Sequence, residues 1–352
     1  MRLARYLFML TAGRILAALA VLVGVLQILD LLDVTTEILD RGLGAGGVFY
    51  YGLLRLPRLI EQAAPLAVLA GALFAFAKLA GESAVTAMRS TGISAYRITA
   101  LALPAAALLA AVQLLNGMVI APRADARLAD WWQSTAPQEE AAKPQDQMTF
   151  RVGDEIVVGR PSEDARRLDG LTIYRRDATG RLVQRTTAEA AVYDQGAWRL
   201  VAPRFEAVSP EGVSSGAAQS MTWTQNIRPA DVQALRSGAA TVSAAEARRA
   251  LQGGVSVRPR TFYDTQVQRA WAAPFACIVM LLLAAPAAMA NFRGGASTLI
   301  VQCMAAGLVF LVFDGAFTAL GENGAAPAIL AAWAAPAIFS ALGLTALLYL
   351  EG

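Results

Sequence analysis

AGESAVTAMRSTGISAY, residues 80–96, stands between two long apolar runs and is a short polar interruption that carries helix signals of its own. Gly81 and Gly92 bracket it, Glu82 falls in its first turn, and Arg89 in its last turn faces the negative end of the helix dipole. Val85 and Met88 lie at i, i+3 on one side with Ala84 and Thr91 beside them, while Glu82, Thr86 and Arg89 point another way. The spacing predicts a short amphipathic helix at a membrane edge. Two roles are open to it: a structured loop joining two spans, or a docking surface for a soluble partner.

Outward from this stretch the chain is dominated by apolar residues, 56% of the total, and several runs exceed the roughly 18–20 needed to cross a hydrocarbon core of about 30 Å. That composition reads as an integral membrane protein. The formal charge is +3 with arginines spread along the chain, which argues against a nucleic-acid partner. Cys277 and Cys303 both lie inside apolar runs and histidine is absent, so the pattern gives no disulfide framework and no basis for zinc or haem chemistry.

A basic lead-in (Arg2, Arg5, Arg14) precedes the apolar run Ile15–Leu32, which is longer than the apolar part of a signal peptide and is read as a first span. Asp30, Asp33 and Glu37 share a helical face and continue that helix past the bilayer, with Asp40 following and a glycine-rich turn at Gly42–Gly47. Further spans are expected at about Leu59–Leu79 (with Pro65 a kink), Ile98–Ile120, Ala270–Ala290, Ser297–Leu320 and Ala328–Leu350, making six in two groups of three. Lys78, Arg89, Arg97 and Arg293 join the N-terminal arginines on one side, while Glu322 and the Asp30–Asp40 cluster fall on the other. Both termini and the helix at 81–94 are therefore expected in the cytoplasm, and the long connection 123–263 outside, in the periplasm of a bacterium.

That connection changes period. Apolar residues alternate in Met148-Thr-Phe150-Arg-Val152, Ile156-Val-Val158, Leu171-Thr-Ile173 and Trp198-Arg-Leu200, with turn residues between them at Gly153-Asp154, Asp177–Gly180, Asp194–Gly196 and Pro210–Gly212. It reads as one antiparallel β domain, a sandwich or jellyroll with edges open to strand addition. Ser243-Ala-Ala-Glu246 is a capping box that starts a short helix on the way back to the membrane. The fold class expected is an α+β membrane protein: transmembrane helices over 1–122, a β domain over 123–263, and three more helices over 264–352.

Chemistry is conspicuous by what is missing. The two lysines, Lys78 and Lys143, stand in no phosphate-binding loop, and without histidine a Ser-His-Asp triad is impossible. No catalytic role or cofactor is expected in this chain, and it cannot hydrolyse ATP by that route. Asp314, in Phe313-Asp-Gly315, is an acid placed deep in a span, either a helix–helix hydrogen bond or a carrier's ion site.

Arg5-Tyr6-Leu7, Pro65-x-x-x-Leu69-x-Gly71-x-Leu73, Glu82 followed by Met88-Arg89-x-x-Gly92-Ile93-Ser94, Ala121-Pro122, and Arg269-x-x-x-x-Pro274-Phe275, set in the order three spans, β domain, three spans, resemble the LptF/LptG permease family of lipopolysaccharide export. Gly321-Glu-Asn-Gly324 followed by Ala331-Ala-Trp333-Ala-Ala-Pro336 resembles the LptG branch more than the LptF branch. The resemblance implies an inner-membrane permease that pairs with the paralogous permease, sits on two copies of a cytoplasmic ATPase (LptB) that binds ATP and Mg, and passes lipopolysaccharide through β-jellyroll domains to the jellyroll proteins LptC and LptA. Residues 81–94 then match the coupling helix, with Glu82 the ATPase-contacting acid and Val85, Met88 and Arg89 beside it. The classes standing against this reading are a secondary transporter and a membrane-anchored scaffold.

Two lipid contacts follow as expectations. Phe150, Val152, Ile156, Val158, Ile173 and Leu200 would face inward and shield acyl chains, against the alternative of an ordinary filled core. Arg55, Arg58, Arg123 and Arg127 would clamp an anionic head group at the outer surface, because the first helix carries Asp30, Asp33 and Glu37 where the family often has basic residues. The alternatives for these arginines are pairing with Asp30, Asp33, Glu37 or Asp125, or unselective contact with lipid phosphates.

Overall fold

Helices of 39 and 38 residues open the chain, α1 (Arg2–Asp40) and α2 (Gly44–Gly81), each at about 1.5 Å per residue far longer than a bilayer core is thick. They belong to a computed structural model that describes residues 2–82, 84–135, 147–162, 165–177, 179, 181–194, 196–209, 212–225, 227–229, 231–232, 242–289 and 296–351. Lys143, Arg293 and the turn residues Pro210 and Glu211 lie outside that set. The bundle continues with α3 (Ala84–Ser90), α4 (Ala95–Leu115), a π-helical turn (Asn116–Ile120) and α5 (Ala121–Ser134). The chain divides into two compact units, Met1–Leu128 with Asp264–Gly352, and Ala129–Tyr263.

In the second unit lies a short helix, α6 (Ala244–Leu251), and beyond it come α7 (Arg260–Ala272), α8 (Phe275–Ala284), α9 (Ala296–Glu322) and α10 (Ala328–Glu351). Among the described residues five helical stretches are long and apolar enough to cross a membrane, and α7 with α8 makes a sixth if the bent pair is counted as one span. The pair covers the span expected at about Ala270–Ala290, begins earlier at Arg260, and its two axes differ by 53°. Pro274 sits at the junction and has no amide hydrogen to give the preceding turn.

Close packing in the bundle is set by small residues. Gly71 of α2 lies against the backbone of α1, where a Cβ would sit 2.5 Å from the Cα of Ile15. Only glycine permits that crossing. Proline within α2 creates the opposite problem, because Pro65 has no N–H for the carbonyl of Glu61. Gln113 of α4 supplies the missing donor, its Nε2 reaching the Glu61 carbonyl at 3.3 Å, while its Oε1 accepts from the Cys277 thiol at 3.0 Å. Asn116, first residue of the π-turn, donates to the Pro57 carbonyl at 2.8 Å. A proline inside a membrane helix is tolerated when neighbours restore the lost polar pairing in this way.

In the other unit nine strands among the described residues form one sheet: β1 (Met148–Val152), β2 (Glu155–Pro161), β3 (Arg167–Arg176), β4 (Leu182–Asp194), β5 (Ala197–Val201), β6 (Arg204–Ser209), β7 (Gly212–Ala217), β8 (Ser220–Trp223) and β9 (Val255–Ser256). Every pairing is antiparallel, and β1 to β4 follow one another as neighbours. The thirteen-residue β4 is long enough to pair with β6 over Gln184–Thr187 and with β5 over Ala190–Asp194. β5 and β6 are therefore one strand creased at Ala202-Pro203, where Ala202 has φ +48°, and β7 and β8 follow the same crease on the next row. The Ala202 amide still donates to Gln219 and the Ala218 amide to Pro203, so pairing survives the bend.

One face of this sheet carries the core. Phe150, Val152, Ile173 and Leu200 are buried there with Val157, Leu168, Leu171, Trp198 and Trp223. Ile156 and Val158, expected on the same face, lie on the opposite one: burial in β2 falls on Glu155, Val157, Gly159 and Pro161. Both registers of Ile156-Val157-Val158 are apolar, so alternation could not choose between them, and the deciding residue is Glu155. Its carboxylate is 1% exposed, receives Arg175 Nη2 at 2.7 Å and Nε at 2.9 Å, and accepts from Trp223 Nε1 at 2.8 Å. A buried acid is stable when paired and hydrogen-bonded in this way. Ile156 instead lines an open depression of about 460 Å³ with Tyr174, Arg176 and Leu182.

Candidate functional site

α3 is closed by Gly92, whose φ of +81° lets the Ile93 amide reach back to the Met88 carbonyl at 3.0 Å. Ser94 then caps α4, its Oγ accepting from the Arg97 amide at 3.3 Å. Glu82 stands one step earlier than expected. It is the C-cap of α2 and lies outside α3, because the helical run of α2 continues through Gly81 and the Glu82 amide still bonds the Lys78 carbonyl at 3.0 Å. Its side chain is 53% exposed and 3.7 Å from Lys78 Nζ.

The apolar side of α3 turns into the bundle. Val85 is buried and Met88 partly so, both in the cluster that holds Leu7, Leu79 and Ile98. The outward face is then Glu82, Ala87, Ser90 and Thr91. Arg89 belongs to α3, and its side chain is outside the described set. An outside partner would meet an acid and small polar groups on a helix that packs on α2 and whose Val85 and Met88 belong to the apolar cluster of the bundle.

The four arginines separate into two kinds. Arg55 Nε lies 3.0 Å from Asp30 of α1, and Arg58 Nη1 lies 3.0 Å from Glu61, three residues along its own helix. Arg123 and Arg127 are exposed along α5, one turn apart. Gly117 in the π-turn gives Glu61 room, since a Cβ there would meet its Oε1 at 3.2 Å. Glu61, Gln113 and Asn116 were not singled out from sequence as site residues, although the i, i+3 spacing of Arg58 and Glu61 and the position of Pro65 four residues after Glu61 pointed to both needs. Asp314 is also partnered: its Oδ2 is 3.2 Å from Arg269 Nη2, and Arg269 donates through Nη1 to Thr318 Oγ1. That arrangement is the helix–helix pairing, and it removes the main feature that favoured an ion-coupled carrier.

Residues 5–349 match the family model described as "Lipopolysaccharide export system permease LptF/LptG". The chain belongs to the LptF/LptG family. Among curated relatives, the lipopolysaccharide export system permease protein LptG of Haemophilus influenzae (strain ATCC 51907 / DSM 11121 / KW20 / Rd) is 26% identical over 233 residues, covering 64% of this chain and 63% of the relative. The LptG protein of Escherichia coli K12 is 23% identical over 209 residues, 58% of this chain and 57% of the relative. The chain thus spans a little under two thirds of the length of the curated relatives it matches. The family match takes in both the helical bundle and the sheet unit of this α+β membrane protein.

Proposed function

We propose that this chain is the LptG-type permease of a lipopolysaccharide exporter, one half of a paired transmembrane core that extracts the lipid from the inner membrane. The observation that carries the proposal is family membership across residues 5–349, spanning both the bundle and the sheet; the curated relatives named LptG favour that branch over LptF. In this reading the helices group three and three about a periplasmic jellyroll-like module, both termini are cytoplasmic, and LptF is the paired permease. A separate LptB dimer binds ATP and Mg and docks on the exposed Glu82 face, while Val85 and Met88 carry its motion into the bundle. LptC and LptA continue the path from the sheet.

Arg123 and Arg127, exposed on α5, can meet an anionic head group directly, whereas Arg55 and Arg58 would exchange Asp30 and Glu61 for lipid oxygens. Phe150, Val152, Ile173 and Leu200 are covered in the core of the sheet unit here, so in this reading that core opens to shield acyl chains during transport. The test is purification from membranes followed by ATP-dependent release of lipopolysaccharide from proteoliposomes to a jellyroll acceptor. A co-purifying ATPase, and release that Glu82→Lys lowers at least tenfold, are expected. Release at the native rate with Glu82→Lys removes Glu82 from the coupling role, and absence of any associated ATPase removes the permease reading. Photocrosslinking probes at Phe150, Val152, Ile173 and Leu200 should capture lipid during turnover, with Ile156 and Val158 as opposite-face controls.

A further inference from the structure

Burial along α4 and into the π-turn recurs every three or four residues, at Ala102, Ala106, Leu109, Gln113 and Asn116. Carried on at that spacing, the inward side of the helix would next take Ile120, Arg123 and Arg127. The observed pattern is displaced by one residue. Ile120 is 47% exposed, Ala121 and Ala124 are buried, Arg123 and Arg127 are exposed, and Leu128 is half-buried. The displacement arises in the π-turn Asn116–Ile120, where the Ala121 amide bonds the Asn116 carbonyl five residues back. Such a turn holds one residue more than an α-turn, and one residue is worth about 100° of helix rotation.

Two features trap the extra residue in place. On its N-terminal side Gln113 and Asn116 reach the Glu61 and Pro57 carbonyls of α2 at 3.3 and 2.8 Å, so a wide turn that moved that way would pull both side chains off their acceptors. On its C-terminal side stands Pro122, which has no amide hydrogen and whose ring, in an unbroken α-helix, would press on the Met118 carbonyl four residues earlier. A turn closed by an i−5 bond is wider and leaves the ring room. Without the proline, passing the wide turn on along α5 would exchange i−5 for i−4 bonds one for one, at little cost in backbone pairing. Among the described residues α5 has no extensive packing on another element, so the side it turns outward is set by the helix it continues.

We propose that Pro122 is a positioning residue: it locks one extra residue into Asn116–Ile120, and so keeps Gln113 and Asn116 on α2 while Arg123 and Arg127 face outward. What those arginines then meet rests on the permease reading; the register itself is tested without transport. Arg123→Cys, Ala124→Cys and Asp125→Cys, made one at a time in the full chain in membranes, are reacted with a charged maleimide, with buried Cys277 and Cys303 as the shared background. With Pro122 and Met118 in place, Arg123→Cys should react at least tenfold faster than Ala124→Cys. Pro122→Ala lets the helix run on as α, which brings position 123 inward and position 124 outward and reverses that ratio. Deleting Met118 with Pro122 kept leaves the chain one residue short beneath a proline that still demands a wide turn. The shift is then the other way, with Ala124→Cys fast and Asp125→Cys slow. The two changes together remove the extra residue and its cause, and the native ratio should return to within threefold. A native ratio in either single variant, or a combined variant that does not restore it, overturns the role of Pro122. Where Pro122→Ala fails to fold, the Met118 deletion measured against the combined variant decides. In the assembled complex, ATP-dependent lipopolysaccharide release should fall at least tenfold in each single variant and recover in the combined one. Labelling that obeys the cycle while release stays native counts against the head-group role of Arg123 and Arg127 and leaves the register with Pro122, and a native complex that releases no lipid counts against the permease reading alone.

Discussion

α1 and α2 are near twins in length and both are apolar enough to span a membrane, yet 11% of the spanning segment of α1 is buried within the chain against 67% of that of α2. The difference lies in side-chain size and in what happens at proline. α2 buries Ala63, Ala64, Ala67, Gly71, Ala72 and Ala75, which let neighbours approach, whereas α1 presents Leu16, Val21, Val25, Ile28, Leu29 and Leu32 outward. Hydropathy identifies both as spans and ranks α1 the more apolar. In a bilayer the greasier helix is the one left facing lipid or another membrane chain, because apolar surface gains nothing from burial where the solvent is itself apolar.

Two glycines test the contrast most directly. Gly71→Leu should be the most damaging change on either helix, since its side chain collides with the α1 backbone at Ile15; overpacking of this kind costs about 1–3 kcal/mol where side chains can yield and more where backbone must. Gly24→Leu, on α1 with nothing within 4 Å, should leave stability within about 0.5 kcal/mol of native. Thermal unfolding in detergent checks the pair, and equal sensitivity at both positions would break the comparison. An intermediate effect is expected at Gln113. Replacing it by Leu leaves the Glu61 carbonyl and the Cys277 thiol unpaired, a loss of about 1–2 kcal/mol. Pro65→Ala restores an amide donor for that carbonyl, so in a Pro65→Ala background the Gln113→Leu penalty should shrink by more than half. A double-mutant cycle in denaturant reads the coupling, and additivity would show that Gln113 serves some other group.

Val25 and Leu32 of α1 should give the smallest stability changes: each to Ala, under about 0.5 kcal/mol in the isolated chain. The same substitutions should reduce recovery of a paired permease if that chain covers α1, and co-purification yield separates a lipid-facing surface from a partnered one.

Much of this was readable from composition and period. The apolar runs located the spans, and the alternation around Phe150, Ile173 and Leu200 located the sheet and its buried face, because those signals depend on residues near in sequence. What depended on distant partners was not readable. Val157 and Val158 are chemically identical, and only Arg175 and Trp223, 20 and 68 residues from Glu155, decide which of them faces in. Arg55 and Arg58 look like ligands for phosphate until Asp30 and Glu61 are seen beside them. The exposed acid at Glu82 was legible, but its place at the end of α2 was not, since Gly81 looked like a stop and the helix runs through it. The bend between α7 and α8 was hidden for a similar reason: Pro274 early in an apolar run reads as a helix start as readily as a break.

The order of strands in the sheet has a consequence for how this protein is made. From β1 to β8 each row pairs with the row synthesised just before it, so contacts form between segments that leave the ribosome within a few tens of residues of one another. The exception is β9, which returns to β1 through Arg151 opposite Ser256 and Val152 opposite Val255. That closing pair is made by residues that immediately precede α7. Biogenesis therefore has a natural checkpoint: the Arg151–Val152 end of the β1 edge is covered only when the second set of membrane helices starts to appear, and a chain stalled before Val255 would display that end to quality-control proteases.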